Sequence, residues 1–153
     1  HEAGLLAGEI VPFNGSTYDN GIKPENPREK LSKLKPAFIK PHGTHTAANS
    51  SYLTDGASAT LIMSEEAALA KGYTPLAVLH GSMFVSQDPK DELLLGPAYV
   101  TYKLLEKAGL KMGDIDVWEI HEAFAGQVLA NIAAMGSDKF AKEKIGTGGA
   151  GTR

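Results

Sequence analysis

Apolar and polar positions fall into blocks along this chain, and the blocks predict strand–helix units. Ala57–Met63 is a short run of small and apolar residues that predicts a buried strand. Ser64 follows as an N-cap, Glu65 and Glu66 lie in the first turn where the helix dipole favours anions, and Lys71-Gly72 stops the helix. A second unit starts with a strand from Leu76 to about Val85. Gln87–Leu95 is a charged loop, and Gly96-Pro97 opens a helix whose Val100, Leu104, Leu105 and Ala108 share one face until Gly109 ends it. The third unit has a strand at Ile115–Ile120, the polar pair His121-Glu122, and a helix with Phe124, Val128, Leu129, Ile132 and Met135 on one side. Three such units in series predict an α/β fold with helices layered against a sheet.

The amino-terminal part reads differently. Residues 1–28 are rich in glycine and proline, and only Glu9–Phe13 predicts a short strand. Pro27 introduces one or two helical turns over Glu29–Leu34, which Lys35-Pro36 ends. Phe38 to Ser51 has no period and predicts a long connection, of the kind that often carries function. Tyr73-Thr74-Pro75 is the best candidate boundary, and the glycine-rich tail Gly146–Arg153 predicts no regular element.

Composition narrows the chemistry. The 153 residues are 42% hydrophobic and 22% charged, ordinary for a globular protein, and can bury a real core. A formal net charge of −3 offers no basic surface for a nucleic acid, and the cluster Lys30, Lys33, Lys35 reads as a solvated face. No apolar run approaches the ~18 residues of a membrane-spanning helix, so membrane association is not visible in these residues. His1-Glu2-Ala3-Gly4 does not read as a signal or transit peptide. The absence of cysteine excludes disulfides, thiolate metal sites and any cysteine nucleophile supplied by these residues. His42 and His45 are three apart, but no third ligand is near, so no metal site is predicted. Gly146–Gly151 matches neither a dinucleotide-binding glycine fingerprint nor a P-loop.

Two segments are candidates for chemistry. Val117–Phe124 places His121 and Glu122 where a strand gives way to a helix, the end of α/β sheets at which ligands bind. A histidine there can aim an N–H at a developing oxyanion beside a helix N-terminus; the competing reading is that the pair caps the helix. Gly43–Ala59 is dense in small and hydroxyl residues, which allow a ligand to approach closely or, equally, build a tight loop with Asx turns.

Those segments carry a resemblance. Thr46-Ala47-Ala48-Asn49-Ser50-Ser51 followed by Asp55-Gly56-Ala57 resembles the thiolase stretch TAGN-x-S-x-x-x-DGA, Lys33–Phe38 resembles its KLRPAF, and His121–Ala125 resembles its NEAFA. The three occur in order, and the resemblance runs to about Lys144. Histidine at 121 in place of the usual asparagine, with Val85–Asp91 and Leu93–Pro97, is similar to the thiolase subunits of multienzyme fatty-acid β-oxidation complexes, mitochondrial or bacterial, with the mitochondrial ones favoured. The resemblance implies the thiolase fold, two layered βαβαβαββ halves with a loop domain in the first, of which only part is present. Residues 1–56 would be the end of the loop domain and the return to the core, 57–72 the end of the first half, and 73–153 the start of the second.

It also implies an acyltransferase that cleaves 3-ketoacyl-CoA with CoA to acetyl-CoA and a shortened acyl-CoA, with coenzyme A as substrate and no bound cofactor or metal. His121 would belong to the oxyanion hole, with Glu122 supporting the loop. Ser51, Ala47, Phe38 and Phe124 would line the pantetheine arm of CoA, and Lys23 would stand where many thiolases have an arginine on the adenine. The implied partners are a second copy of the chain and an α subunit with enoyl-CoA hydratase and 3-hydroxyacyl-CoA dehydrogenase activities; the implied location is the mitochondrion, or the cytoplasm of a bacterium. The nucleophilic cysteine, the histidine of the family's GHP motif and the acid/base cysteine would lie beyond these residues. Ala48 for glycine, His45 for valine and the tail from Ile145 depart from the family pattern. Two alternatives remain: a thiolase-like protein that binds CoA or lipid without thiolysis, and an inactive interaction fragment.

Overall fold

A computed structural model describes residues 3–22, 25 and 27–146. The chain divides into two units, residues 1–35 and 36–153. In the first unit the expected strand Glu9–Phe13 reduces to one antiparallel bridge between Phe13 and Ser16. Asn14 and Gly15 between them both have positive φ, 47° and 79°, the backbone that an Asn-Gly pair adopts in a tight hairpin turn. No further pairing extends the bridge, because the next residues turn away: Ser16 Oγ donates to Tyr18 O and Gly21 N donates to Asp19 Oδ1. Helix α1 is a single turn, Arg28–Leu31, entered through Pro27 and closed at Ser32, so it ends short of the expected Leu34.

Helices of the second unit follow their sequence signals. Helix α2 (Glu65–Ala70) is capped by Ser64, whose Oγ accepts from Ala67 N, and Gly72 leaves it at φ 74°. Helix α3 (Gly96–Ala108) has Pro97 in its first turn and ends at Gly109 with φ 68°. Helix α4 (Ala125–Met135) begins later than expected: Phe124 is its N-cap, and the Phe124 N–H donates to Gln127 Oε1 at 3.4 Å. His121 and Glu122 therefore do not cap it. Helix α5 (Asp138–Phe140) runs into a π turn at Ala141–Ile145, elements the sequence patterning did not predict.

The core lies among α3, α4 and these last turns. Its buried residues include Ala98, Tyr99, Tyr102, Asn131 and Ala141, with Phe140 set edge-on to the Tyr99 ring at 5.0 Å. The face of α3 expected to be buried, Val100 to Ala108, is only half covered. The two tyrosines take the centre instead, because each hydroxyl reaches a partner: Tyr99 donates to Glu92 Oε2 at 2.8 Å and Tyr102 to Met135 O at 2.7 Å. Asn131 interrupts the expected apolar face of α4 and is 0% exposed, while Leu129 and Ile132 stay exposed. Both ends of its amide are engaged: Oδ1 accepts from Ala98 N, and Nδ2 donates to Leu94 O and Gln127 O, each at 2.9 Å. Asn131 thus supports the amino end of α3 from another helix, adding a second acceptor for the Ala98 N–H, which also donates to Leu95 O at 3.1 Å.

The expected strands Ala57–Met63, Leu76–Val85 and Ile115–Ile120 are not strands in the structure. A strand exists by virtue of its ladder, and these three segments do not pair with one another or with any other described residue. Their apolar side chains are correspondingly open, with Leu61, Leu76, Val78 and Val117 exposed and Phe84 94% exposed. Among the described residues no helix is long and apolar enough to cross a membrane.

Candidate active site

Two backbone bonds bring the two candidate segments together. Ser51 N donates to Ala123 O at 2.8 Å and Ala125 N donates to Asn49 O at 2.9 Å, forming an antiparallel bridge between Ser50 and Phe124. The loop entering this bridge is stiff. Thr46 N donates to Asn49 Oδ1 at 2.7 Å, Asn49 Nδ2 to Thr44 O at 2.9 Å, and Ser50 Oγ to Thr46 O at 2.8 Å. The Asn49 side chain therefore ties the loop back to Thr44 and Thr46 on one side while its carbonyl takes the N–H of the first residue of α4 on the other.

An aromatic cluster sits on this junction. Phe38 and Phe124 meet edge-on at 6.1 Å, and the His45 ring lies 5.3 Å from Phe124 and 6.2 Å from Phe38, also edge-on. The loop before it folds back through Ala37 N to His45 O and Gly43 N to Ile39 O, both 2.7 Å. His45 packs so closely on α4 that a Cβ on Gly126 would stand 2.9 Å from two of its ring atoms. Sequence reasoning saw His45 only as a departure and as half of a weak metal pair. The pairing of a bulky ring at 45 with glycine at 126 was the available signal.

Of the residues singled out for CoA, Ser51 joins the junction through its backbone, Phe38 and Phe124 touch each other, and Ala47 is exposed on the loop. Lys23 lies outside the described residues. His121 and Glu122 part company. His121 is exposed and lines an open cavity of about 400 Å³ with Val85, Gln87, Leu93, Leu94, Pro97 and Gln127. Glu122 lines a separate apolar groove with Trp118, Val128 and Ile132.

Glu92, which also lines the first cavity, was missed because it reads as one more charge in a charged loop. Lys144 Nζ donates to its Oε1 at 2.9 Å and Tyr99 to its Oε2. The Lys144 ammonium, then the Tyr99 hydroxyl, hold the Glu92 carboxyl below its ordinary value of 4.5. Burial, then the bond to Glu92, raise the Tyr99 hydroxyl, and the bond to Glu92 raises Lys144. For a carboxylate with a depressed folded value, the stabilisation is present above the ordinary value and lost as pH falls through the depressed one. Lys144→Met is therefore expected to lower the melting temperature of the protein slightly at pH 7, and the difference from the parent should shrink as pH falls below 4.5 and vanish once the depressed value of Glu92 is passed. A difference that persists unchanged into acid would rule out the ion pair as its source.

Both halves of the chain match thiolase family models: residues 1–66 the thiolase N-terminal domain and residues 73–151 the thiolase C-terminal domain. The chain belongs to the thiolase family, and its fold class is the α/β thiolase fold, present in part. It is 62% identical over 150 residues to the mitochondrial trifunctional enzyme subunit beta of Bos taurus, covering 95% of this chain and 31% of that one. It is 68% identical over 127 residues to a probable 3-ketoacyl-CoA thiolase of Caenorhabditis elegans, covering 83% and 28%. Among solved structures, the dimeric peroxisomal thiolase of Saccharomyces cerevisiae matches with a TM-score of 0.70 and 36% identity, over 88% of this chain and 35% of that one. The chain spans about a third of the length of the curated relatives it matches.

Proposed function

We propose that the whole protein carrying this chain is a 3-ketoacyl-CoA thiolase of fatty-acid β-oxidation, an acetyl-CoA C-acyltransferase. The observation that carries this reading is the junction itself. The Asn49–Ser51 loop is laced to Ala123–Ala125, which places a small-residue loop and two phenylalanines a few residues from His121 and its cavity. Relatives 62% and 68% identical to this chain over the matched residues are named as the β subunit of the trifunctional enzyme and as a probable 3-ketoacyl-CoA thiolase.

In this reading a cysteine thiolate attacks the 3-keto carbon, the C2–C3 bond breaks, and its electron pair becomes the enolate of acetyl-CoA. A proton delivered to C2 releases acetyl-CoA, and the thiolate of a second CoA takes the acyl group and frees the cysteine. These residues contain no cysteine and so contribute no thiol. Their part is to hold substrate and charge. The imidazole of His121 donates an N–H to the enolate oxygen, in either protonation state provided the neutral ring has the right tautomer. Ser51, Ala47, Phe38 and Phe124 flank the pantetheine arm, with Lys23 toward the adenine and Glu122 steadying the segment after His121. Residues 1–56 complete a loop domain, 57–72 close the first thiolase half and 73–153 open the second; the family matches at 1–66 and 73–151 support that division.

The protein acts in the mitochondrion, as a homodimer within a complex whose α subunit carries the hydratase and dehydrogenase steps. The beta-subunit relative and the dimeric yeast thiolase support this. The test is to incubate the purified whole protein with a 3-ketoacyl-CoA and free CoA and to follow acetyl-CoA and the shortened acyl-CoA. Stoichiometric appearance of both is expected. Saturable CoA binding without cleavage would defeat the reading in favour of a thiolase-like carrier.

A further inference from the structure

One buried amide holds two parts of the lining of the His121 cavity. The cavity is lined by residues of the Leu93–Pro97 turn and by Gln127, in the first turn of α4. Asn131, 0% exposed and four residues after Gln127, donates to Gln127 O and to Leu94 O with the same nitrogen, and accepts from Ala98 N with its oxygen. Every hydrogen-bonding position of that nitrogen is spent on a residue of the cavity wall.

Two observations bear on what holding the turn would do. Leu94 has φ 65°, the left-handed region, which a leucine without outside support leaves for ordinary backbone. The turn also lies against two other residues of the cavity lining: a Cβ on Gly96 would stand 3.0 Å from Gln87 Oε1 and 3.7 Å from Val85 Cγ2. A shift of the Leu94–Ala98 backbone therefore changes the shape of the cavity beside His121.

We infer that Asn131 is a positioning residue: it keeps the Leu94–Ala98 turn and the first turn of α4 in register, and so sets the shape of the cavity next to His121. For its catalytic consequence the inference rests on the thiolase reading proposed above. Beside the polar Gln87, Glu92 and Gln127, the lining residues Val85, Leu93, Leu94 and Pro97 give the cavity an apolar part, and in that reading this part meets the acyl group.

The test compares Asn131→Ser with the parent in the whole protein, by amide hydrogen exchange and by kinetics. Exchange is expected to quicken about tenfold or more in peptides covering 92–98, while 101–107 and 129–134 keep their protection. The ratio of kcat/KM between a short and a long 3-ketoacyl-CoA, which is independent of the folded fraction, should change by about fivefold or more. Both effects should shrink when the same substitution is made in a Leu94→Gly background, because glycine adopts the left-handed turn without support. Exchange that rises uniformly along both helices, or a chain-length ratio that does not move, overturns the inference. So does unfolding in both backgrounds, which would make Asn131 a support of the fold at large. If the parent protein does not cleave at all, the thiolase reading fails separately, and the exchange pattern alone then decides whether Asn131 holds the turn.

Discussion

Replacing His121 with alanine is expected to lower thiolysis turnover by roughly 10²–10³-fold in the whole protein, while the KM for CoA changes little. His121 lines the cavity, whereas the Phe38–Phe124 pair that flanks the proposed CoA arm is not part of its lining, so the two effects separate. A donor that acts mainly on the developing enolate oxygen lowers turnover without weakening ground-state binding. The size corresponds to losing one preorganised donor, about 3–4 kcal/mol of barrier. His121→Asn should retain more activity than alanine, since an amide keeps an N–H at the site. Turnover is to be measured per active site, by titrating the acyl-enzyme, so that a loss of folded protein does not imitate a loss of chemistry. Alanine turning over within a few-fold of the parent would remove His121 from the oxyanion hole.

Gly43→Ala is expected to destabilise the protein by about 1–3 kcal/mol, the usual cost of forcing atoms into filled space. The added Cβ would lie 2.8 Å from Phe38 O and 3.2 Å from Ile39 O, and these are backbone atoms that cannot swing aside. Gly43 N also donates to Ile39 O, so relieving the contact means giving up that bond and opening the loop. Opening it moves Phe38 from Phe124, and the KM for CoA should rise as stability falls. Thermal denaturation beside steady-state kinetics checks both. An unchanged melting temperature would mean that residues 36–43 are not folded back on themselves.

Much of the helical part was legible because its signals are local. Ser64 caps α2, Pro97 opens α3 and Gly109 leaves it in the left-handed conformation that glycine favours. The start of α4 was misplaced because apolar periodicity puts Phe124 on the helical face, whereas its backbone is extended, paired with Ser50. The strand segments carry strand-type residues, but a ladder is a property of two segments, and among the described residues nothing pairs with them. Asn131 was passed over for a related reason. Inside an apolar helix it looks like a blemish, and only its three partners, two of them more than thirty positions away, give it a purpose. Of the candidate site, the motifs at 46–51 and 121–125 were visible by resemblance, but that each donates a backbone N–H to the other was not.

The bridge between Ser50 and Phe124 also sets a schedule for synthesis. Ser50 leaves the ribosome about seventy residues before its partner does. At the usual pace of translation that interval is roughly 4–15 s. Throughout it the bonds from the Asn49 side chain to Thr44 and Thr46 can already form, because they are local, but the Asn49 carbonyl has no helix to meet. The loop is thus made early and docked late, and a nascent chain stalled anywhere between the two partners carries half of the junction exposed.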